Sequence, residues 1–336
     1  MKRRHLAVVI FLAIFLAGMY FWKGGKRYYM ESGVVWTTEY HITYEGNRQL
    51  GDSIQAVLAR VDMSASKYNK NSLLTKINNN ESRQADDIFT RLYEKSVEVY
   101  KASGGAFDPT VSPLANVWGF GLKSGLEPND ATIDSIRRFV GLDKTRLVNG
   151  EVLKDDERVA FDFNSIAKGL ACDEVGRMLE RNGVENYIVE IGGEIAVRGK
   201  NENGVDWRIS VDRPIERADT VIHKSAFVIE LETGGVATSG NYRNFRIVDG
   251  KKVAHTINPH TGKPEITNLL SVTIVARDCM TADAYATACM ALGLDGSKRM
   301  LYGDKDIAVS LSYVGRDGTT IEVWENAAFA AIKKLN

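Results

Sequence analysis

The spacing of apolar positions changes along the chain, and each change marks an element. From Leu6 to Trp22, "LAVVIFLAIFLAGMYFW", all 17 positions are uncharged, with "MKRRH" before them and "KGGKR" after. An unbroken apolar run of that length suits a signal peptide or a short membrane anchor better than a core helix. From Val34, "VVWTTEYHITYEG" alternates β-branched and aromatic residues with polar ones and predicts a strand. "GDSIQAVLARVDMSAS" has amphipathic helical spacing, and "KYNKNSLLTKINNNES" reads as a polar loop. "ADDIFTRLYEKSVEVYKAS" predicts a helix with Asp86 and Asp87 in its first turn and Gly104-Gly105 at its end. The long irregular stretch "GAFDPTVSPLANVWGFGLKSGLEPN" carries Phe107, Trp118 and Phe120, which argues for a packed loop, and "DATIDSIRRFVG" is again helical.

The second half alternates faster. "RVAFDF" predicts a strand running into the helix "SIAKGLACDEVGRMLERNG", with Asn164 or Ser165 as its N-cap. "NYIVEIGGEIAVRG" is a hairpin turning at Gly192-Gly193, and "NFRIVDGKKVAHTINP" is another with an Asp-Gly turn. "WRISVDRP" and "AFVIELETGGVATSG" read as strands. "LLSVTIVARD" is a strand feeding the helix "DCMTADAYATACMALG", and "DIAVSLSYVGRDGTTIEVW" is a closing hairpin. Hairpins with interspersed helices predict an α+β fold and not a doubly wound one. A sub-domain boundary is expected near residues 125–150.

Composition narrows the function. The 336 residues hold 43 basic and 43 acidic side chains, so the chain carries no overall charge to attract nucleic acid, and no nucleic-acid partner is expected. Cys172, Cys279 and Cys289 lack metal-ligand spacing. Cys279 and Cys289 sit on one predicted helix at about 15 Å, too far for a disulfide, so free buried thiols are expected. No A-x-A cleavage pattern follows the apolar run, which favours an uncleaved anchor in residues 1–30 and places residues 31–336 outside the cytoplasm.

Several polar stretches have chemical potential. Asp283 and Thr287 lie four apart on an otherwise apolar helix and so share a face. A carboxylate and a hydroxyl in that register suit a hard cation such as Mg²⁺. A plain structural account also exists: Thr281 as N-cap with Asp283 in the first turn. The start of the "SIAKGLACDE" helix, with Lys168 and Gly169, favours an anion, or is simply a helix start with a solvated lysine. The aromatics of "GGAFDPTVSPLANVWGFG" either stack on a planar ligand or pin a loop, and no P-loop or G-x-G-x-x-G fingerprint is present. His255 opens the polar loop "HTINPHTGKP" and is one of only five histidines.

Taken in order, "GGAFDPTVSPLANVWGFG", "DFNSIAKGLACDE", "YIVEIGGEIAVRG", "ATSGNYRNF", "HTINPHTGKP" and "SVTIVARDCMTADAYATACMALG" resemble the ApbE-type FAD:protein FMN transferase family, from about residue 34 to the C-terminus. The resemblance implies two lobes of mixed, largely antiparallel sheet with helices and a nucleotide site in the cleft between them. It implies a Mg²⁺-dependent enzyme that splits FAD and places FMN on a threonine of an acceptor protein, such as a subunit of an ion-pumping respiratory complex. It also implies an extracytoplasmic, often membrane-attached protein. Carried over residue by residue, the metal site falls on Asp283, Thr287 and an oxygen of Ser165. Flavin contacts fall on Tyr68, Ala106, Phe107 and Asp108. Asp162 and Lys168 flank the nucleotide, Ile257 touches it, and His255 matches the base proposed to activate the threonine. Two departures stand out. Trp36 occupies the Met position of the family's Met-Gly-Thr, and the lipoprotein cysteine is missing, which favours a peptide anchor. An FAD pyrophosphatase giving FMN and AMP, or a flavin-binding protein without turnover, are the alternative readings.

Overall fold

The structure, a computed structural model, describes residues 26–120, 128–212, 225–240, 245–248, 251–254, 256–264 and 267–334. Its centre is an eight-stranded sheet. The strands are β1 (Arg27–Val35), β2 (Thr38–Gly46), β3 (Tyr187–Ile191), β4 (Glu194–Arg198), β5 (Thr233–Gly240), β6 (Leu269–Ala276), β7 (Ala308–Val314) and β8 (Ile321–Glu325). They lie in chain order across the sheet, and every neighbouring pair is antiparallel. The α+β expectation holds, and the sheet draws strands from both sides of residues 125–150.

Both faces of this sheet are covered, as the side-chain alternation of its strands requires. Ile42, Val189, Ile191, Val272, Ile274 and Val309 point into the larger core. There they meet helices α1 (Gly51–Ala65), α3 (Asp87–Ala102), α6 (Ala167–Arg181) and α7 (Cys279–Met300). Between them run the short helices α2 (Leu73–Asn78), α4 (Ser112–Val117) and α5 (Asp130–Arg137), and α8 (Ala327–Ile332) follows β8. Val197, Val236, Val275 and Ala308 point the other way, onto Trp207, Ile209, Phe227 and Ile229 of a three-stranded sheet formed by residues 207–212, 225–231 and 333–334. A third cluster joins Leu114, Val117, Ile133, Ile136 and Val140 to Ile257. All three cysteines are buried and free, as expected.

Several local expectations are corrected. The "VVWTTEYHITYEG" stretch is not one strand: it is broken by a turn at Trp36-Thr37, and its halves pair as β1 and β2. Both turn residues have positive φ, 51° and 66°. The polar stretch after α1 contains α2, and the irregular stretch after α3 contains α4. "AFVIELETGGVATSG" forms two strands that join different sheets, 225–231 and β5. "RVAFDF" joins no ladder. Its place is taken by one amide: Asn78 Nδ2 donates to the Phe161 carbonyl and Asn78 Oδ1 accepts from the Phe161 N–H, each at 2.8 Å. Phe161 and Phe163 meet Phe89 edge-on, with ring centroids 5.6 and 5.1 Å apart. Such pairs are each worth about 0.5–1.5 kcal/mol beyond the area they bury, and they turn Asp162, between them in sequence, toward the opposite side.

Candidate active site at the crossing of two helices

Helix α6 starts without a side-chain cap: its N-cap is Ile166, not Asn164 or Ser165. Its first turn is completed instead from another helix. Gly169 N–H donates to Asp283 Oδ2 of α7 at 3.0 Å. The helices approach so closely because Gly169 has no side chain. A Cβ there would meet the Cys279 carbonyl and come within 2.8 Å of Met280 Cα. The close approach that a glycine permits is taken up here by the α7 backbone.

The start of α7 is also capped differently from the expectation. Asp278, not Thr281, is the N-cap, accepting from Thr281 N–H at 2.8 Å. Asp173 of α6 takes the next two donors, Cys279 N–H and Met280 N–H, both at 2.9 Å. With Asp278 as cap, Asp283 lies beyond the first turn, so the helix dipole does not account for it. Asp283 is 3 % exposed, and Thr287, one turn on, is half-buried.

Beside Asp283 stands an ion pair whose carboxylate is buried and whose lysine is half-buried. Lys168 Nζ donates to Glu194 Oε2, and Glu194 is 4 % exposed. Burial first, then the charge of Asp283, pushes the Glu194 carboxyl up to about 8. Asp283 is raised as well: burial outweighs the pull of Lys168 and of the Gly169 N–H. Burial pulls Lys168 down, but Glu194 and Asp283 together hold it above its usual range. With all three charged the trio is one negative charge in excess, in a setting where an unbalanced charge is costly. A divalent cation would reverse that excess. The Asp283 carboxylate and the Thr287 hydroxyl, one turn apart on α7, are donors of the type that suits a hard cation. Among the described residues, no group of three or more His, Cys, Asp or Glu is placed to hold a metal, so such a site depends on hydroxyl and backbone oxygens.

The remaining candidates lie along two paths from this centre. On one, Asp162 pairs with Lys67, a residue the sequence reading did not single out, and its other oxygen accepts Asn164 N–H at 3.0 Å. Tyr68 is 61 % exposed, its hydroxyl accepts from Asn164 Nδ2 at 3.2 Å, and the Lys67 ammonium lies 5.3 Å from its ring centroid. Trp36 donates from Nε1 to Asp62 Oδ1 at 3.0 Å, and Asp62 also holds Asn69. The Trp36-Thr37 turn is thereby tied to the Tyr68 loop.

On the other path, Asp162 N–H donates to the Pro109 carbonyl at 2.6 Å, which brings the 106–108 segment alongside. The side chains of Ala106, Phe107 and Asp108 are buried there. Asp108 spends its carboxylate on Thr110 N–H and Oγ1, each at 2.7 Å, and on Leu142 N–H at 3.1 Å. A ligand at this segment would meet backbone. Ile257 pairs with Pro264 in a small hairpin beside it, where His260 Nε2 lies 3.0 Å from the Gly104 carbonyl and Trp118 Nε1 donates to the Gly262 carbonyl at 2.8 Å. His255 lies outside the described residues, as does the apolar run Leu6 to Trp22. No helix among the described residues is long and apolar enough to cross a membrane.

Glu194 was also missed, although a signal existed. It follows the Gly192-Gly193 turn, where φ is 62° and 100°, and it faces Ile191 in register. That puts a carboxylate at a core-facing strand position, which is rare without a partner.

Comparison with known proteins gives the family. Residues 36–311 match the model of the ApbE family. The chain is 35 % identical over 273 residues to the FAD:protein FMN transferase of Vibrio cholerae, covering 78 % of this chain and 80 % of the relative. It is 30 % identical over 290 residues to that of Escherichia coli, covering 84 % and 81 %. The fold superposes on the flavin transferase ApbE from Vibrio cholerae with a TM-score of 0.81 at 30 % identity, over 91 % of this chain and 99 % of the other. It superposes on the apo form of the Pseudomonas stutzeri flavinyl transferase ApbE with 0.80 at 28 % identity, over 91 % and 97 %. The chain belongs to the ApbE family.

Proposed function

We propose that this protein transfers the FMN moiety of FAD to a threonine hydroxyl of an acceptor protein, with Mg²⁺ bound at Asp283, Thr287 and the Ser165 carbonyl. The observation that carries the reading is Asp283: a buried carboxylate on an apolar helix, facing the first turn of α6 beside Lys168. The names of the relatives supply the reaction class. When bound, Mg²⁺ neutralises charge on a pyrophosphate and polarises its phosphoryl oxygens.

The chain's own residues do the rest. Lys168 places a full positive charge at the start of α6, where a phosphate would sit. Tyr68 offers an exposed ring for stacking. The threonine oxygen attacks the phosphorus that bears riboflavin, the bond to the bridging oxygen breaks, and AMP leaves with that oxygen. His255 takes the hydroxyl proton as the new phosphoester forms, a contribution of about 10²–10⁴ in rate. Residues 31–336 form the transferase region, and residues 1–30 hold it at the membrane, facing out of the cytoplasm. Acceptors are threonine-bearing proteins such as subunits of ion-pumping respiratory complexes.

The test is purified protein with FAD, Mg²⁺ and a threonine-bearing acceptor, followed by mass spectrometry of the acceptor and nucleotide analysis. The acceptor gains the mass of FMN, and one AMP appears per transfer. Equal release of FMN and AMP, with no mass gained by the acceptor, replaces transfer with hydrolysis. Bound FAD without any product replaces catalysis with carriage.

A further inference from the structure

Lys168 has two carboxylates within reach of its charge but gives its hydrogen bond to only one. Its ammonium is on Glu194, while Asp283 takes a backbone N–H from Gly169. Asp283 is hydrogen-bonded to the residue that follows Lys168 in α6, so the lysine starts beside it. A lysine beside a buried carboxylate is the natural competitor of a cation for that carboxylate.

What keeps them apart is rigid. Glu194 opens β4 directly after the Gly192-Gly193 turn. Its backbone carbonyl accepts a hydrogen bond from Cys172 Sγ of α6 at 3.2 Å. A Cβ on Gly192 would come within 2.8 Å of Thr38 Oγ1, so the turn itself is packed against the start of β2. Glu194 is thus set by the sheet, and it draws the lysine of α6 toward the sheet and away from α7.

We infer that Glu194 is a positioning residue that holds Lys168 off Asp283, leaving the Asp283 carboxylate free for the cation. This rests on the proposal that Asp283 is a Mg²⁺ ligand. With Glu194 uncharged, Lys168 turns to Asp283, and Mg²⁺ must displace it. Glu194 therefore acts on metal affinity through Lys168, without touching the metal.

The test is a Mg²⁺ titration of the full chain without FAD at about pH 9, where Glu194 is ionised, read as thermal stabilisation, for wild type, Asp283→Ala, Glu194→Gln, Glu194→Asp and the double variant Glu194→Gln/Lys168→Met. Asp283→Ala loses the Mg²⁺ response. The midpoint of Glu194→Gln rises at least tenfold, in the range usual for outer-shell changes. The double variant, which has no lysine to capture Asp283, returns to within threefold of wild type. Glu194→Asp, which keeps the charge, also stays within threefold, and it carries the test if the Gln variant does not fold. An unchanged midpoint in Glu194→Gln overturns the inference while leaving the metal site standing. A double variant as weak as Glu194→Gln makes Glu194 a ligand in its own right and also overturns it. A wild type with no Asp283-dependent Mg²⁺ response removes the metal site and the inference together.

Discussion

Gly169 and Asp283 meet through one hydrogen bond, backbone N–H to carboxylate at 3.0 Å, across 114 residues of sequence. That bond replaces the missing cap of α6 and fixes the carboxylate proposed to hold the metal. Asp283→Asn keeps an oxygen for Gly169 but removes the charge. The protein is expected to fold, with a melting temperature close to wild type, and to lose at least 100-fold in FMN transfer. Turnover within tenfold of wild type at limiting Mg²⁺ counts against the metal assignment.

Gly169→Ala tests the crossing itself. The added methyl would press on the Cys279 carbonyl and on Met280 Cα, which are backbone atoms of a packed helix and cannot rotate away. Overpacking of this kind costs about 1–3 kcal/mol. Urea unfolding is expected to show a lower midpoint, with FAD binding weakened in parallel. A variant as stable as wild type would show that the helices can separate.

The Trp36-Thr37 turn offers a gain. Thr37 is β-branched, exposed and held at a φ of 66°. Left-handed backbone costs such a residue about 1–2 kcal/mol, and part of that is regained with glycine after its larger unfolded-state entropy is counted. Thr37→Gly is expected to stabilise by about 0.5–1 kcal/mol in chemical denaturation. A loss of stability would mean that the Thr37 side chain makes contacts worth more than the strain.

Away from the site, Glu174 of α6 is 2 % exposed and receives Arg60, Arg91 and Arg177. Burial would raise its carboxyl, but Arg91 and Arg177 hold it below its ordinary value. Glu174→Ala leaves three guanidinium groups without their shared acceptor. Because those groups reach water, the expected cost is about 1–3 kcal/mol, below that of a sealed pair. Differential scanning calorimetry checks it, with FAD affinity expected to stay unchanged.

Acid–base linkage adds a signature in metal-free protein. Glu194 moves from 4.5 to about 8 on folding. Within that window the folded state keeps a proton that the unfolded chain has released, so stability falls as pH rises and levels off above it. Glu194→Gln is expected to flatten part of this slope between pH 5 and 8. A wild-type curve that rises across the same range would contradict the raised carboxyl.

Sequence by itself determined what depends on neighbours a few residues away. The four-residue register of Asp283 and Thr287 follows from helical period, and the hairpin at Gly192-Gly193 follows from residues that tolerate positive φ. The order of motifs sufficed to recognise the family. Tertiary structure decided the partners. "RVAFDF" has the alternation of a strand, but its backbone is met by the Asn78 amide and by a single bond to Pro109 and not by a strand, and a ladder needs two strands. "AFVIELETGGVATSG" reads as one strand because periodicity cannot tell which sheet each half will meet. The cap of α6 was misplaced for the same reason, since Asp283 reaches it from another helix, whereas that of α7 is the local Asp278, with Asp173 of α6 added to it. Glu194 and Lys168 are 26 residues apart. Only the packing of β4 against α6 makes them a pair, because Coulomb attraction and burial depend on distance in space, which local sequence does not encode.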